Sequence, residues 1–458
     1  MSTTTRGIQA AARPVDAQPR VLRVLVVTQV LGGVGTATGL SVGALLVARL
    51  AGGPGLSGLA QSAVAVGGAL LAIPVTRLMQ ERGRRPGLAC GYLVGLLGGL
   101  IVITATVFGS VPLAIAGMFF FGGGITANLQ ARYAAVDLAT PARRARHLSL
   151  VVWATTVGAV SGPNLAAPAD RLVRPIGLPS LTGPYVFSAV AFVLAAGLLV
   201  VLLRPDPLLL ARRLATEGPG FGSGGVVAPV DMVSRPAPES VGVAPGPVPV
   251  ARGTVATGIA EMARNRSARV GLVAVAVGHA VMLAVMVMTP VHIDTLLSGG
   301  GGHGGHPDVL AVVGIVISLH VAGMYALSPL VGYASDRYGR RPVILAGALL
   351  LVVACGLAGT AGHDTVRLSA GLFLLGVGWS CTMVAGSTML SESVPPEVRP
   401  SVQGFSDLIM GLAGAVAGAF SGLVLEWAGY PVLALAAALV TVPLMWSIVR
   451  THPGRAQA

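Results

Sequence analysis

The sequence predicts an all-α polytopic membrane protein with twelve transmembrane helices in two pseudo-symmetric six-helix bundles. Three observations carry this expectation. Of 458 residues, 54% are hydrophobic and 10% charged, with a mean hydropathy of +0.80, whereas a water-soluble chain carries about a quarter charged residues. The apolar residues gather into twelve long runs between charges. Landmarks of the first half also return in the second at one fixed offset.

A membrane-crossing helix needs about 20 mostly apolar residues, with its backbone hydrogen bonds made internally. Runs that meet this lie roughly at 24–48, 56–79, 87–109, 112–136, 147–168, 184–203, 270–292, 309–332, 342–361, 368–391, 403–425 and 429–449. They divide the chain into a tail (1–23), a six-helix bundle (24–204), a linker (205–268), a second bundle (269–450) and a short tail (451–458). The linker is rich in Pro, Gly and Ser, a flexible composition. Its end, "GIAEMARNRSAR", suits a short basic helix on the membrane surface.

All 30 basic residues are Arg, against 17 acidic ones, for a formal charge of +13. With the amino terminus inside, 25 of them fall in inner segments. Only Arg49, Arg171, Arg174 and Arg367 fall outside, and Arg132 lies near the inner end of the fourth run. By the positive-inside rule both termini are expected in the cytoplasm of a bacterial plasma (inner) membrane. Charge dispersed over short loops also argues against nucleic acid as a partner. The first apolar run has no small-residue cleavage site, so no cleaved signal peptide is expected. Cys90, Cys355 and Cys381 all lie inside runs, and an odd buried set is no disulfide framework; small apolar packing is their simpler role.

"GRRP" occurs at Gly83 to Pro86 and at Gly339 to Pro342, an offset of 256 residues. Arg143 maps onto Arg399 by the same step, and Gly158 and Gly162 map onto Gly414 and Gly418. A duplicated six-helix unit of this kind builds transporters that rock two bundles around a midplane site. The glycine ladders permit close helix contact. The pattern G-x-x-x-D-R-x-G-R-R stands complete as Gly332, Asp336, Arg337, Gly339, Arg340 and Arg341. On these residues the chain resembles the major facilitator superfamily (MFS fold) over essentially its whole length. In the first-half copy Thr76, Gln80 and Glu81 replace the glycine, aspartate and arginine. The resemblance implies alternating access, with the loop latching helix ends. Asp336 and Arg340 would be latch residues, with Asp137 as an ionic partner, and Arg84 or Arg85 would pair with Asp407. A loop that only sets topology is the simpler alternative. "GAVSGPN", Gly158 to Asn164, looks like part of a pattern associated with antiporters in the superfamily.

Ionisable groups inside spans are costly and therefore candidates for function. His279 and His320 lie mid-span in runs seven and eight, with Met282 and Met286 after the first and Met324 after the second. Helical steps of three, four and seven place each set on one face. From the 1.5 Å rise, Met286 lies roughly 25 Å above the inner edge, Met282 roughly 20 Å, both histidines near ~14 Å and Met324 near ~7 Å. Thioether and imidazole suit Cu(I), although Met is also ordinary packing material. Met282-x-x-x-Met286 with His320-x-x-x-Met324 resembles the paired motifs of the CcoA-like copper-importer branch of the superfamily, as does Gly376 to Leu408. The resemblance implies Met282, Met286, His320 and Met324 as copper ligands along the path. His279 joins them from its helical face alone.

His303 and His306, on a glycine-rich loop between runs seven and eight, would collect metal at the outer mouth or be incidental there; His292 and Asp294 would extend that entrance. Asn128, Gln130 and Arg132 offer a cavity for an organic solute, and Glu392 and Asp407 sit near the inner boundary. No midplane carboxylate stands ready to carry protons, leaving His279 or His320. The expectation is a monomeric secondary transporter, not an enzyme, that imports copper as substrate, has no prosthetic group and hands the ion to a cytoplasmic copper chaperone. The alternatives are a carrier of a small organic solute, by flavin-like uptake or proton-coupled drug efflux, and a metal sensor on the same fold.

Overall fold

The computed structural model describes residues 14–135, 137–138, 144–217, 255–297, 307–394 and 399–449. In the first half run α1 (Pro14–Ala51), α2 (Gly58–Arg82), α3 (Arg84–Phe108), α4 (Val111–Ala134), α5 (Arg144–Ser161), α6 (Ala166–Val173), α7 (Gly183–Leu202) and α8 (Pro207–Glu217). The second half holds α9 (Val255–Arg264), α10 (Arg266–Leu297), α11 (Pro307–Tyr325), α12 (Ser328–Tyr338), α13 (Arg340–Gly359), α14 (Thr365–Glu392), α15 (Arg399–Val440) and α16 (Val442–Val449).

Among the described residues ten helical stretches are long and apolar enough to cross a membrane. One of them, Phe405–Val449, has 45 residues and breaks at Gly429, where φ is +79°. At 1.5 Å per residue it is about 68 Å long, enough for two crossings of a ~30 Å hydrocarbon core. A further crossing is composite: α5 runs through a 3-10 turn, Gly162–Leu165, into α6. The twelve expected spans are thus accounted for, although α1 starts ten residues earlier than the apolar run, with Gln18 Nε2 donating to Ala135 O at 2.8 Å.

The two "GRRP" sequences do one job twice. Gly83 and Gly339 have φ of +100° and +91°, a region that L side chains disfavour, and each turns the chain between antiparallel helices. At the first of them Asp206 accepts from Arg85 N at 2.7 Å and also caps α8, which ties the two helix starts together. Both ends of the expected linker are therefore helical. Helix α9 buries Met262 against Leu390, Val394 and Val402 at the arginine-rich end of the second half.

Candidate functional site

The halves meet at the end opposite the arginine-rich loops. Ser62 Oγ donates to Ala415 O at 2.6 Å, Ser57 lies 3.3 Å from Met288 Sδ, and Asn164 Nδ2 donates to Ser318 Oγ at 2.7 Å. Arg49 and Asp294 close the rim at 2.6 Å. The second glycine ladder, which Gly422 continues one turn beyond Gly418, lies in this seam: a Cβ on Gly422 would stand 2.6 Å from Pro54 O, and one on Gly58 would overlap Gly418 O. The first ladder instead packs Gly158 and Gly162 on α1 within its own half.

Toward the arginine-rich end α10, α14 and α15 of the second half enclose a cavity of about 460 Å³. Its wall comprises Val275 of α10, Met383, Ser387, Thr388, Leu390, Ser391 and Glu392 of α14, and Gln403, Ser406 and Asp407 of α15. Helical spacing orders these by depth. Glu392 ends α14 at the mouth, and Met383 and Val275 lie deepest.

The ion pairs at this end differ from the expected ones. Asp137 is bound by Arg84 at 2.9 Å inside the first half, so it is no partner of the second-half loop. Arg340 reaches Asp336 at 2.6 Å and Glu392 at 2.8 Å. Arg84 thus does not hold Asp407, which sits on the cavity wall. Arg84 and Arg340 are equivalent under the 256-residue offset, and each finds its acid 53 or 52 residues further on. Glu392 was legible as this repeat of Asp137 once the offset was applied with one residue of slack. Arg341 donates to Ser267 Oγ at 3.3 Å, and Arg337 is exposed.

The Met and His groups do not form the expected ladder. His279 Nδ1 accepts from Trp379 Nε1 at 3.1 Å, whereas His320 Nδ1 donates to Leu372 O at 2.7 Å. Both histidines therefore turn to α14, at positions seven residues or about 10 Å apart, and not at one depth. The count failed because helix ends are not level: His320 is thirteen residues into α11 but meets α14 seven residues from its start. Met282 and Met324 are buried in the apolar core, Met286 packs on it, and no hydrogen bond links any two of the five among the described residues. None of the five lines the cavity. Among the described residues His320 Nε2 is buried with no hydrogen-bond partner. His303 and His306 lie outside the described residues. Asp294 serves Arg49, and His292 stacks on Tyr430 with centroids 4.1 Å apart, so neither forms an open entrance.

Asn128 and Gln130 are not one face. Asn128 Oδ1 accepts from the Tyr92 hydroxyl at 2.9 Å in a buried cluster with Gln29 and Thr36, while Gln130 donates to Thr76 of α2 at 3.4 Å. Two residues are about 200° apart on a helix, which separates them. The side chain of Arg132 lies outside those described.

Span eight has a feature the periodicity missed. Pro329 has no N–H for the Tyr325 carbonyl, so α11 stops at Tyr325 and Ser328 Oγ donates to that carbonyl at 2.8 Å. The dipeptide Ser328-Pro329 inside an apolar run was the available signal.

A seam closed at one end of a twofold-repeated helical body, with a cavity toward the other end, is a carrier's geometry, and known proteins agree. A solved structure of the nucleoside transporter NupG superposes with a TM-score of 0.67 at 13% identity, covering 96% of this chain and 100% of that one. The family model "Major Facilitator Superfamily" matches residues 309–458. The "Riboflavin transporter RfnT" of Brucella anthropi is 26% identical over 453 residues, 96% of this chain and 98% of its own. The "Uncharacterized MFS-type transporter YddS" of Bacillus subtilis is 34% identical over 430 residues, 93% of this chain and 89% of its own. With that identity over that length, the chain belongs to the Major Facilitator Superfamily.

Proposed function

We propose that the protein is a monomeric secondary transporter of a small organic solute, set in a bacterial inner membrane with its arginine-rich end and both termini in the cytoplasm. The observation that carries this reading is the cavity of about 460 Å³ toward the arginine-rich end, walled by Val275, Met383 and Leu390 together with serine and threonine hydroxyls, Gln403 and two carboxylates. A volume in the range of roughly 300–1,000 Å³ is that of small-molecule sites. A bare metal ion needs a few converging ligands, and the Met and His groups expected to bind copper do not converge: His279 and His320 turn to different partners, and Met282 and Met324 are buried in the apolar core. The relative named a riboflavin transporter, aligned over nearly the whole of both chains, supports the organic class. The seam closes the far end, and a state closed there is one of the two that alternating access requires.

The test is uptake into proteoliposomes holding the purified protein, with riboflavin, a nucleoside, a sugar and Cu(I) supplied in parallel. Saturable flux of one of the organic solutes, unaffected by Met282→Ala, is the expected result. Copper flux alone, abolished by Met282→Ala and His320→Ala, would overturn the proposal.

A further inference from the structure

Three aromatic rings from three helices meet just above the cavity. Trp379 of α14 donates its indole N–H to His279 of α10, with ring centroids 6.3 Å apart, and Tyr325 of α11 meets the indole edge-on at 5.9 Å. The cavity leads to this group: Val275 and Met383, its deepest lining residues, lie one turn from His279 and Trp379 on the same helix faces. Beyond the group the seam is closed, because His279 rests against Gly414 and the contact of Ser62 with Ala415 begins at the next residue. The three rings also share one level, since each touches Trp379 or is Trp379 itself.

Two polar features converge there. Because His279 Nδ1 accepts from the indole, the imidazole proton resides on Nε2, which has no hydrogen-bond partner among the described residues. The helix break at Tyr325 falls at the same level, and interrupted spans at the midplane are where carriers of this architecture bind substrate.

Resting on the organic-solute reading above, we propose that Trp379, Tyr325 and His279 recognise a planar heteroaromatic ring. Trp379 and Tyr325 supply π surfaces for stacking, and His279 Nε2–H donates to a ring nitrogen or carbonyl oxygen. A flat ring that arrives past Met383 gains stacking from the two aromatic side chains, whereas a sugar would gain none.

The test uses the full chain in nanodiscs, with Trp153, Trp427 and Trp446 changed to Phe so that Trp379 alone fluoresces. Riboflavin and guanosine are the probes, with xylose as the control. The expected result is saturable quenching by at least one aromatic probe and none by xylose. His279→Ala should weaken binding about tenfold, and His279→Gln, which keeps a donor, should recover most of it. Trp379→Leu, followed by equilibrium dialysis, should weaken binding more than thirtyfold. If Trp379→Leu does not fold, Trp379→Phe takes its place and must weaken binding at least threefold through loss of the larger stacking face. Saturable sugar transport in the proteoliposome panel, with KM unchanged by these variants, would overturn this inference and leave the proposed function standing. Flux of copper alone would overturn both.

Discussion

Arg49, in the last turn of α1, and Asp294, near the end of α10, meet at 2.6 Å across the boundary between the two halves. Their side chains are only 21% and 18% exposed. A charge-assisted bond of this kind contributes about 1.5–3 kcal/mol, and it belongs to the closed far end alone. Arg49→Ala or Asp294→Ala should therefore shift the balance about tenfold or more toward the state open at that end. The measurement is labelling of Ser62→Cys by a membrane-impermeant thiol reagent in a background lacking Cys90, Cys355 and Cys381. Labelling should accelerate in each single variant and slow again in the charge-swapped pair. Equal rates throughout would show that the pair does not hold the seam.

The two repeat-related ion pairs should differ in weight. Arg84 and Asp137 are 15% and 12% exposed, whereas Glu392, partner of Arg340, is 54% exposed. Removing one member of a buried pair strands the other and costs about 3–5 kcal/mol, while an exposed pair is worth about 0–1 kcal/mol. Arg340 also keeps Asp336 when Glu392 is changed. Asp137→Asn is thus expected to lower the thermal midpoint of the detergent-purified protein clearly, and Glu392→Gln to leave it almost unmoved. Matching midpoints for the two variants would contradict this.

The sequence was most readable where a physical requirement acts on every residue of a segment. Membrane depth demands long apolar runs, which is why the spans and the two halves could be placed from composition and the "GRRP" spacing. Where a requirement acts on one side chain against a distant partner, the pattern failed. Met282-x-x-x-Met286 and His320-x-x-x-Met324 are genuine helical spacings, but spacing along a helix does not say which neighbour the face meets. Here α14 stands beside both helices and takes His279 at Trp379 and His320 at Leu372. Trp379 and Tyr325 gave no signal of their own, because an aromatic residue within an apolar run reads as packing. Arg49 was visible as an exception to the positive-inside pattern, and the ion pair with Asp294 accounts for its position.

Asn128 should behave as a structural residue. It joins Tyr92, Gln29 and Thr36 in a buried cluster, in which Gln29 Nε2 also reaches Thr155 Oγ1 at 2.7 Å. Leaving buried polar groups without partners costs about 1–3 kcal/mol each. Asn128→Leu is expected to lower stability by that order while leaving the KM of the transported solute within about twofold. A tenfold rise in KM with an unchanged thermal midpoint would instead make Asn128 a substrate contact.

Two glycines separate the demands of the two transport states. A Cβ on Gly58 would overlap the Gly418 carbonyl, a backbone atom that cannot rotate away, so Gly58→Ala should hold the far end open and cut transport at least tenfold. Gly332, the first residue of the motif loop, has nothing within 4 Å of the position its Cβ would occupy. Within α12 a change to Ala removes backbone freedom from the unfolded chain and should raise stability by about 0.5–1 kcal/mol. If the motif loop latches the arginine-rich ends when they come together, Gly332 meets its neighbour only in that opposite state. Gly332→Ala is then expected to raise the thermal midpoint and yet slow transport, a combination that packing in the present state would not produce. Faster or unchanged transport in Gly332→Ala would remove the loop from the latch.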